Sequence, residues 1–334
     1  MERLFGTTDG IEEARFSAKK HSPLVVILIF FLVYLVIGSA LQSLVTMIPL
    51  ESYMMKEFEQ EGLFDDIGNI KGTEDFGAIL EKVLETIDKI MSNMPSWLTA
   101  LMLYATIGAT VACMFYCAKL EKRRLFTMGF VKKGFIKEYL LGILVGLFIF
   151  TAAVAILVIF GVARISFDAS AISWPMIILF FFGYVFQGLS EEVACRGYLL
   201  VSVAQNSNVT AGVFVSSLMF AALHIGNAGI SILAFVNLFL FGFFAALYFL
   251  RRGSIWGIAA VHTVWNFTQG NVFGISVSGM AQSDSILHTT ISGIKSDVLT
   301  GGKFGAEGSL AVTIVLIAGI AVLMLMKPKR TAAF

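Results

Sequence analysis

Two adjacent carboxylates and an arginine, Glu191-Glu192-Val193-Ala194-Cys195-Arg196, stand alone in an apolar stretch. No Asp, Glu, Lys or Arg lies between Asp168 and Glu191, or between Arg196 and Arg251. Charge inside lipid-grade sequence is expensive and marks a functional site by default. Two further patterns follow, Phe220-x-x-x-His224 and His262-x-x-x-Asn266. The i, i+4 spacing puts the named residues of each pattern on one helix face. Glu191 and Glu192 point about 100° apart and cannot share a role. Glu192 lies one turn from Arg196 and pairs with it to set the helix, which frees Glu191 to face a cavity. A buried carboxylate beside an imidazole can hold or take a proton. Glu191 with His224 can therefore deprotonate a water as general base and partner. His262 and Asn266 offer donors suited to the oxyanion of a tetrahedral intermediate.

Elements that could place these groups together must be membrane helices. Of 334 residues, 57% are hydrophobic and 14% charged, with a mean hydropathy of +0.83. Soluble domains carry about 25% charged residues. In lipid the backbone must be satisfied within its own segment, and the long continuous apolar runs select helices over barrel strands. The fold class expected is an all-α polytopic bundle of about eight spans: 23–49, 96–118, 139–162, 173–203, 209–227, 230–250, 254–276 and 309–326. The boundary inside 209–250 is set at Gly226-Asn227-Ala228-Gly229, a turn-forming run. Counting inward at 1.5 Å per residue brings all three motifs to comparable depth, roughly 12–23 Å from one face.

With the N-terminus inside, 17 of the 24 Lys and Arg residues fall on the inner side and seven on the outer. The positive-inside rule then places both termini in the cytoplasm and suggests a plasma-membrane location. Lys327-Pro328-Lys329-Arg330 reads as a cytoplasmic stop. The chain reads as a single membrane domain, 1–334, without an internal repeat or a cleavable signal. Its 50–95 loop holds 11 acidic residues against four lysines. Phe76, Ile79, Leu80, Val83, Leu84, Ile87, Ile90 and Met91 recur there at helical spacing, so an amphipathic helix is expected, packed on the outer face or offered to a partner. The 277–308 stretch, rich in Ser, Gly and Thr, reads as a flexible loop. Cys113, Cys117 and Cys195 lie in apolar segments, which favours packing over a disulfide framework. A net charge of +1 gives no sign of nucleic-acid binding.

Taken together, the ordered triple resembles the CAAX protease and bacteriocin-processing family (CPBP, also called Abi) of intramembrane glutamate proteases. That family carries EExxxR, FxxxH and HxxxN in this order, with glycine commonly after the arginine, as Gly197 is here. The resemblance covers about 120–275. It implies an eight-helix protease core with a wet cavity open to the cytoplasm. In that core Glu191 and His224 activate water, and His262 and Asn266 stabilise the oxyanion. It also implies a hydrophobic or lipidated peptide or protein substrate presented from membrane lipid, and no cofactor. Cys195 departs from the aromatic common before the arginine. No embedded base is placed for it, so a cysteine nucleophile is not favoured. Three other readings stand beside this one. The first is a zinc centre of Glu191, His224 and His262, which suits the donor set but lacks HExxH. The second is a non-enzymatic scaffold or bacteriocin-immunity protein that uses the cluster structurally. The third is a proton-relay transporter, for which no paired broken helices are seen.

Overall fold

The computed structural model describes residues 5–69, 72–281, 284–292 and 296–329. Arg3, Lys71, Lys295 and Arg330, counted above in the charge balance, lie outside the described residues, as does the side chain of Met91. The chain is an all-α membrane bundle. A short amphipathic helix, α1 (Asp9–Ser17), opens it. Then come α2 (Pro23–Gln60), α3 (Leu63–Gly68), α4 (Thr73–Ser92), α5 (Ser96–Leu120), α6 (Phe135–Ile159), α7 (Trp174–Asn206), α8 (Val209–Ala222), α9 (Ile232–Arg252), α10 (Ile255–Phe267) and α11 (Leu310–Leu325). Five of these (α2, α5, α6, α7 and α9) are long and apolar enough to cross a membrane, and α8 and α11 are shorter apolar helices. The only strands among the described residues, β1 (Ala163–Ser166) and β2 (His288–Ile291), form one antiparallel pair.

Local chemistry sets the helix ends. Asn208, Ser231 and Ser309 cap α8, α9 and α11 by accepting from the backbone N–H of Ala211, Ala234 and Val312. Such caps satisfy donors that a helix start leaves without partners. Gly253 closes α9 in the left-handed region at φ 64°. α2 runs eleven residues beyond the expected end at 49, to Gln60, through Pro49. Met, Glu, Lys and Gln, frequent after Pro49, are good helix formers, so polarity there ends the apolar run without ending the helix. α3 and α4 fold back on this extension. Lys82 pairs with Asp66 at 2.6 Å and Lys89 with Glu61, and the Lys89 ammonium holds the Glu61 carboxyl below its ordinary range.

Two ends of the bundle can be told apart by their contacts. At one end α1 packs on 125–128 and on 201–206. The backbone N–H of Lys329 donates to Arg251 O at 2.8 Å, and that of Ile255 to Gly129 O at 2.9 Å. The first and last described residues, Phe5 and Lys329, gather there with the basic 251–252 pair. A buried Arg123–Glu121 pair (3.2 Å) sits at the same end, where Arg123 also reaches Cys117 Sγ and Gly197 O. Burial pushes the Glu121 carboxyl up, against the pull of Arg123. At the other end lie the β pair, the 223–231 turn and the 276–309 segment. Within 277–308, expected to be flexible, the described residues form turns, β2 and short helices, with Phe304, Ala306 and Glu307 buried.

α10 forms the centre, with its most extensive packing against α6 and α7. Glycines allow this. A Cβ on Gly146 would sit 2.6 Å from Val261 O, and one on Gly188 would sit 2.9 Å from Thr263 N. Thr263 Oγ1 then donates across to Tyr184 O at 3.1 Å. Small residues at such crossings let membrane helices pack closely where the hydrophobic effect cannot drive association. Replacing Gly146 with Leu should therefore destabilise the protein by about 1–3 kcal/mol, read as thermal unfolding in detergent. Gly77, whose Cβ would meet nothing within 4 Å, should accept Ala with a gain of about 0.5–1 kcal/mol in the α4 helix. Equal effects at both positions would contradict this account.

Candidate active site

Glu191 and Glu192 are the last two residues of α7 before its hydrogen bonding widens to the i→i+5 pattern over Val193–Leu200. Wide turns of this kind are uncommon and concentrate at functional sites. Glu192 and Arg196 are fully buried and pair at 3.0 Å. Arg196 also donates to Gly242 O on α9 at 3.0 Å, and its guanidinium lies 4.8 Å from the centre of the Phe220 ring on α8. Glu192 Oε1 is in addition 2.9 Å from Nδ1 of His262 on α10. One buried ion pair thus ties four helices together. The pairing expected between Glu192 and Arg196 is present, and it carries His262 as well.

His262 lies between the two carboxylates. A carboxylate only accepts, so Nδ1 donates to Glu192 and Nε2 is left facing Glu191 Oε2, 3.8 Å away. The imidazole is packed edge-on against Phe220 and Phe241, with ring centres 5.8 and 5.0 Å away. Glu191 Oε1 accepts from Gln187 Nε2, one turn earlier on α7. Gln187 Oε1 in turn accepts from Asn266 Nδ2 at 2.9 Å. An ionised Glu191 requires the Gln187 amide to present its NH2 group, and this fixes the direction of both amides. The result is two hydrogen-bonded runs, Asn266–Gln187–Glu191 and His262–Glu192–Arg196, which meet where Glu191 Oε2 lies 3.8 Å from His262 Nε2. Gln187 was not singled out from the sequence. An uncharged polar residue at i−4 from Glu191, on the same face, was the available signal.

His224 stands apart. α8 ends at Ala222, so His224 belongs to the turn that follows rather than to the helix. Its Nδ1 is 2.8 Å from Phe220 O. A carbonyl can only accept, so Nδ1 carries a proton and donates, and Nε2 is the ring nitrogen left outside that bond. Among the described residues no hydrogen bond or ion pair joins His224 to Glu191. The two imidazoles flank the same Phe220 ring, whose centre is 5.0 Å from that of His224. No three His, Cys, Asp or Glu side chains among the described residues are arranged to hold a metal ion. Cys195 is buried, as are Cys113 and Cys117, and all three are free thiols.

Residues 172–268 match the family model described as Rce1-like, type II CAAX prenyl endopeptidase Rce1-like. The matched segment contains Gln187, Glu191, Glu192, Arg196, His224, His262 and Asn266. No curated protein and no solved structure matches the chain.

The geometry around Arg196 predicts an asymmetry. Arg196→Met leaves the Glu192 charge buried without a cation and should cost about 3–5 kcal/mol. Adding Glu192→Gln to it should restore part of that loss in the same chemical-denaturation assay. A double variant as unstable as the sum of both single variants would contradict this.

Proposed function

We propose that this chain, which carries a domain of the Rce1-like CAAX endopeptidase family, is an intramembrane protease that hydrolyses a peptide bond with water activated by protein side chains alone. The observation that supports this most strongly is the run from Asn266 through Gln187, Glu191, His262 and Glu192 to Arg196, in which Gln187 and Glu191 are partly exposed and the rest are buried. Such a run places a base, proton carriers and an amide donor side by side in the low-dielectric interior, where electrostatic catalysis is strongest.

In the proposed reaction Glu191 and His224 Nε2 take the proton from a water as its oxygen bonds to the carbonyl carbon. The negative charge moves to the carbonyl oxygen. Asn266 and a doubly protonated His262 donate to that oxygen, with the Glu192 carboxylate neutralising the imidazolium. Collapse breaks the C–N bond, and the held proton goes to the leaving amine. Arg196 holds Glu192 in place. The family match supports a membrane-associated prenylated peptide as the general kind of substrate. An apolar tail held in lipid beside the bundle would bring the scissile bond to the buried carboxylates. We place both termini and the entrance to the site on the cytoplasmic side, from the distribution of lysine and arginine.

Cleavage of a prenylated, membrane-tethered peptide in proteoliposomes provides the test. Glu191→Gln and His224→Gln should each lower the rate by at least about 10²-fold, and 1,10-phenanthroline should leave the wild-type rate unchanged. Full activity in both variants would overturn the reading, and loss of activity to the chelator would move it to a zinc centre. An alkaline phosphatase fused after the C-terminus should stay inactive in cells, and an active fusion would reverse the orientation.

A further inference from the structure

We infer that Glu307, far from the matched segment in sequence, is a positioning residue that braces both His224 and the helix carrying Asn266. The inference rests on the protease reading for its catalytic consequence and on the geometry below for its structural one.

α8 has 14 residues and so spans about 21 Å, less than the roughly 30 Å of a hydrocarbon core. The turn after it, with His224, is irregular backbone that such a short helix would leave inside the hydrocarbon thickness, where it is tolerated only against protein or a wet cavity. The protein supplies partners from 276–309. Asn227 N donates to His224 O at 3.0 Å, and Asn227 Nδ2 donates to Ser278 O at 2.9 Å. Ser278 has a φ of +48°, a left-handed conformation that a serine adopts only when its surroundings hold it there. What holds it is the Glu307 carboxylate, whose Oε2 accepts from Ser278 N at 2.7 Å and from Ser278 Oγ at 3.0 Å.

The same carboxylate faces α10. Oε2 accepts from Gln269 Nε2 at 3.3 Å, and Oε1 accepts from Trp265 Nε1 at 3.2 Å. Trp265 is the chain neighbour of Asn266. Four donors from two directions thus converge on one buried, acceptor-only group. An amide of the same shape offers a single acceptor oxygen and turns two N–H groups toward donors. A residue needed only to close a loop would not require this, since any of several polar groups could satisfy Ser278. Glu307 joins the turn carrying the proposed base partner to the helix carrying the proposed oxyanion donor.

The test uses the full chain in nanodiscs with ¹³C,¹⁵N-labelled histidine. The chain has four histidines, and His224 is assigned as the ring signal lost in His224→Gln. In Glu307→Gln the His224 signal should shift or broaden while the His21 signal stays fixed. In the peptide assay kcat should fall about tenfold with KM within about twofold, the mark of misplaced reacting groups. Asn227→Ala, which cuts the link between Ser278 and the turn but leaves the Glu307 contacts intact, should reproduce both effects. The double variant should be no worse than the more impaired single one. If Glu307→Gln does not fold, Asn227→Ala decides alone. An unmoved His224 signal in the folded variants overturns the inference, as does a kcat loss matched by an equal rise in KM, or losses that multiply in the double variant. Because the His224 signal is read without turnover, a chain inactive on every peptide but with a Glu307-dependent signal would sink the protease reading and leave the brace standing.

Discussion

The Glu192–Arg196 pair is the constraint around which the rest is arranged. Two opposite charges at full burial gain little unless their remaining hydrogen-bonding capacity is also used. Arg196 uses part of it on Gly242 O and on the face of Phe220, and Glu192 Oε1 on His262, while Arg196 Nε and Glu192 Oε2 have no hydrogen-bond partner among the described residues. Each of those partners comes from a different helix. Solvating one ion pair therefore fixes where α7, α8, α9 and α10 stand relative to one another. It also aims an imidazole at the neighbouring Glu191. Structure and proposed chemistry draw on the same electrostatic requirement.

Close approach of backbones makes that arrangement possible. The glycines at 142, 146 and 188 bring α6 and α7 onto α10 without intervening side chains. The wide turns after Glu192 then shift the register of the remaining half of α7, so that Gly197 can meet Met128 and Arg123 at the end that holds Phe5 and Lys329. A helix of uniform pitch would present the residues beyond Arg196 on different faces.

Much of this was legible in the sequence because charge in an apolar run is rare and its spacing is informative. Glu191, Glu192, Arg196, His262 and Asn266 were found that way, and the structure brings them into one connected group. Seven of the eight expected spans correspond to the five long and two shorter apolar helices, whose hydropathy marks them, whereas 254–276 contains the short, buried α10. Other features left weaker marks. Gln187 is uncharged, and nothing in composition separates it from a residue that merely packs. The i, i+4 spacing of Phe220 and His224 suggested a shared helix face, whereas the helix stops at Ala222 and the spacing survives through a turn. Glu307 was hidden in a stretch of Ser, Gly and Thr that reads as flexible. Its order comes from contacts with Trp265, Gln269 and Asn227, which no local window contains. The length of α2 was underestimated because apolarity, rather than helix propensity, was used to mark its end.

Arg196 has a consequence for biogenesis. Its carbonyl partner, Gly242, is synthesised 46 residues later, and His262 comes later still. When α7 first leaves the ribosome it carries a carboxylate–guanidinium pair that no adjacent segment can yet shield. Releasing such a segment singly into lipid would expose that pair at a cost of a few kcal/mol. Delaying its release until α9 and α10 arrive would remove the cost, and this half of the protein would then enter the bilayer as a unit.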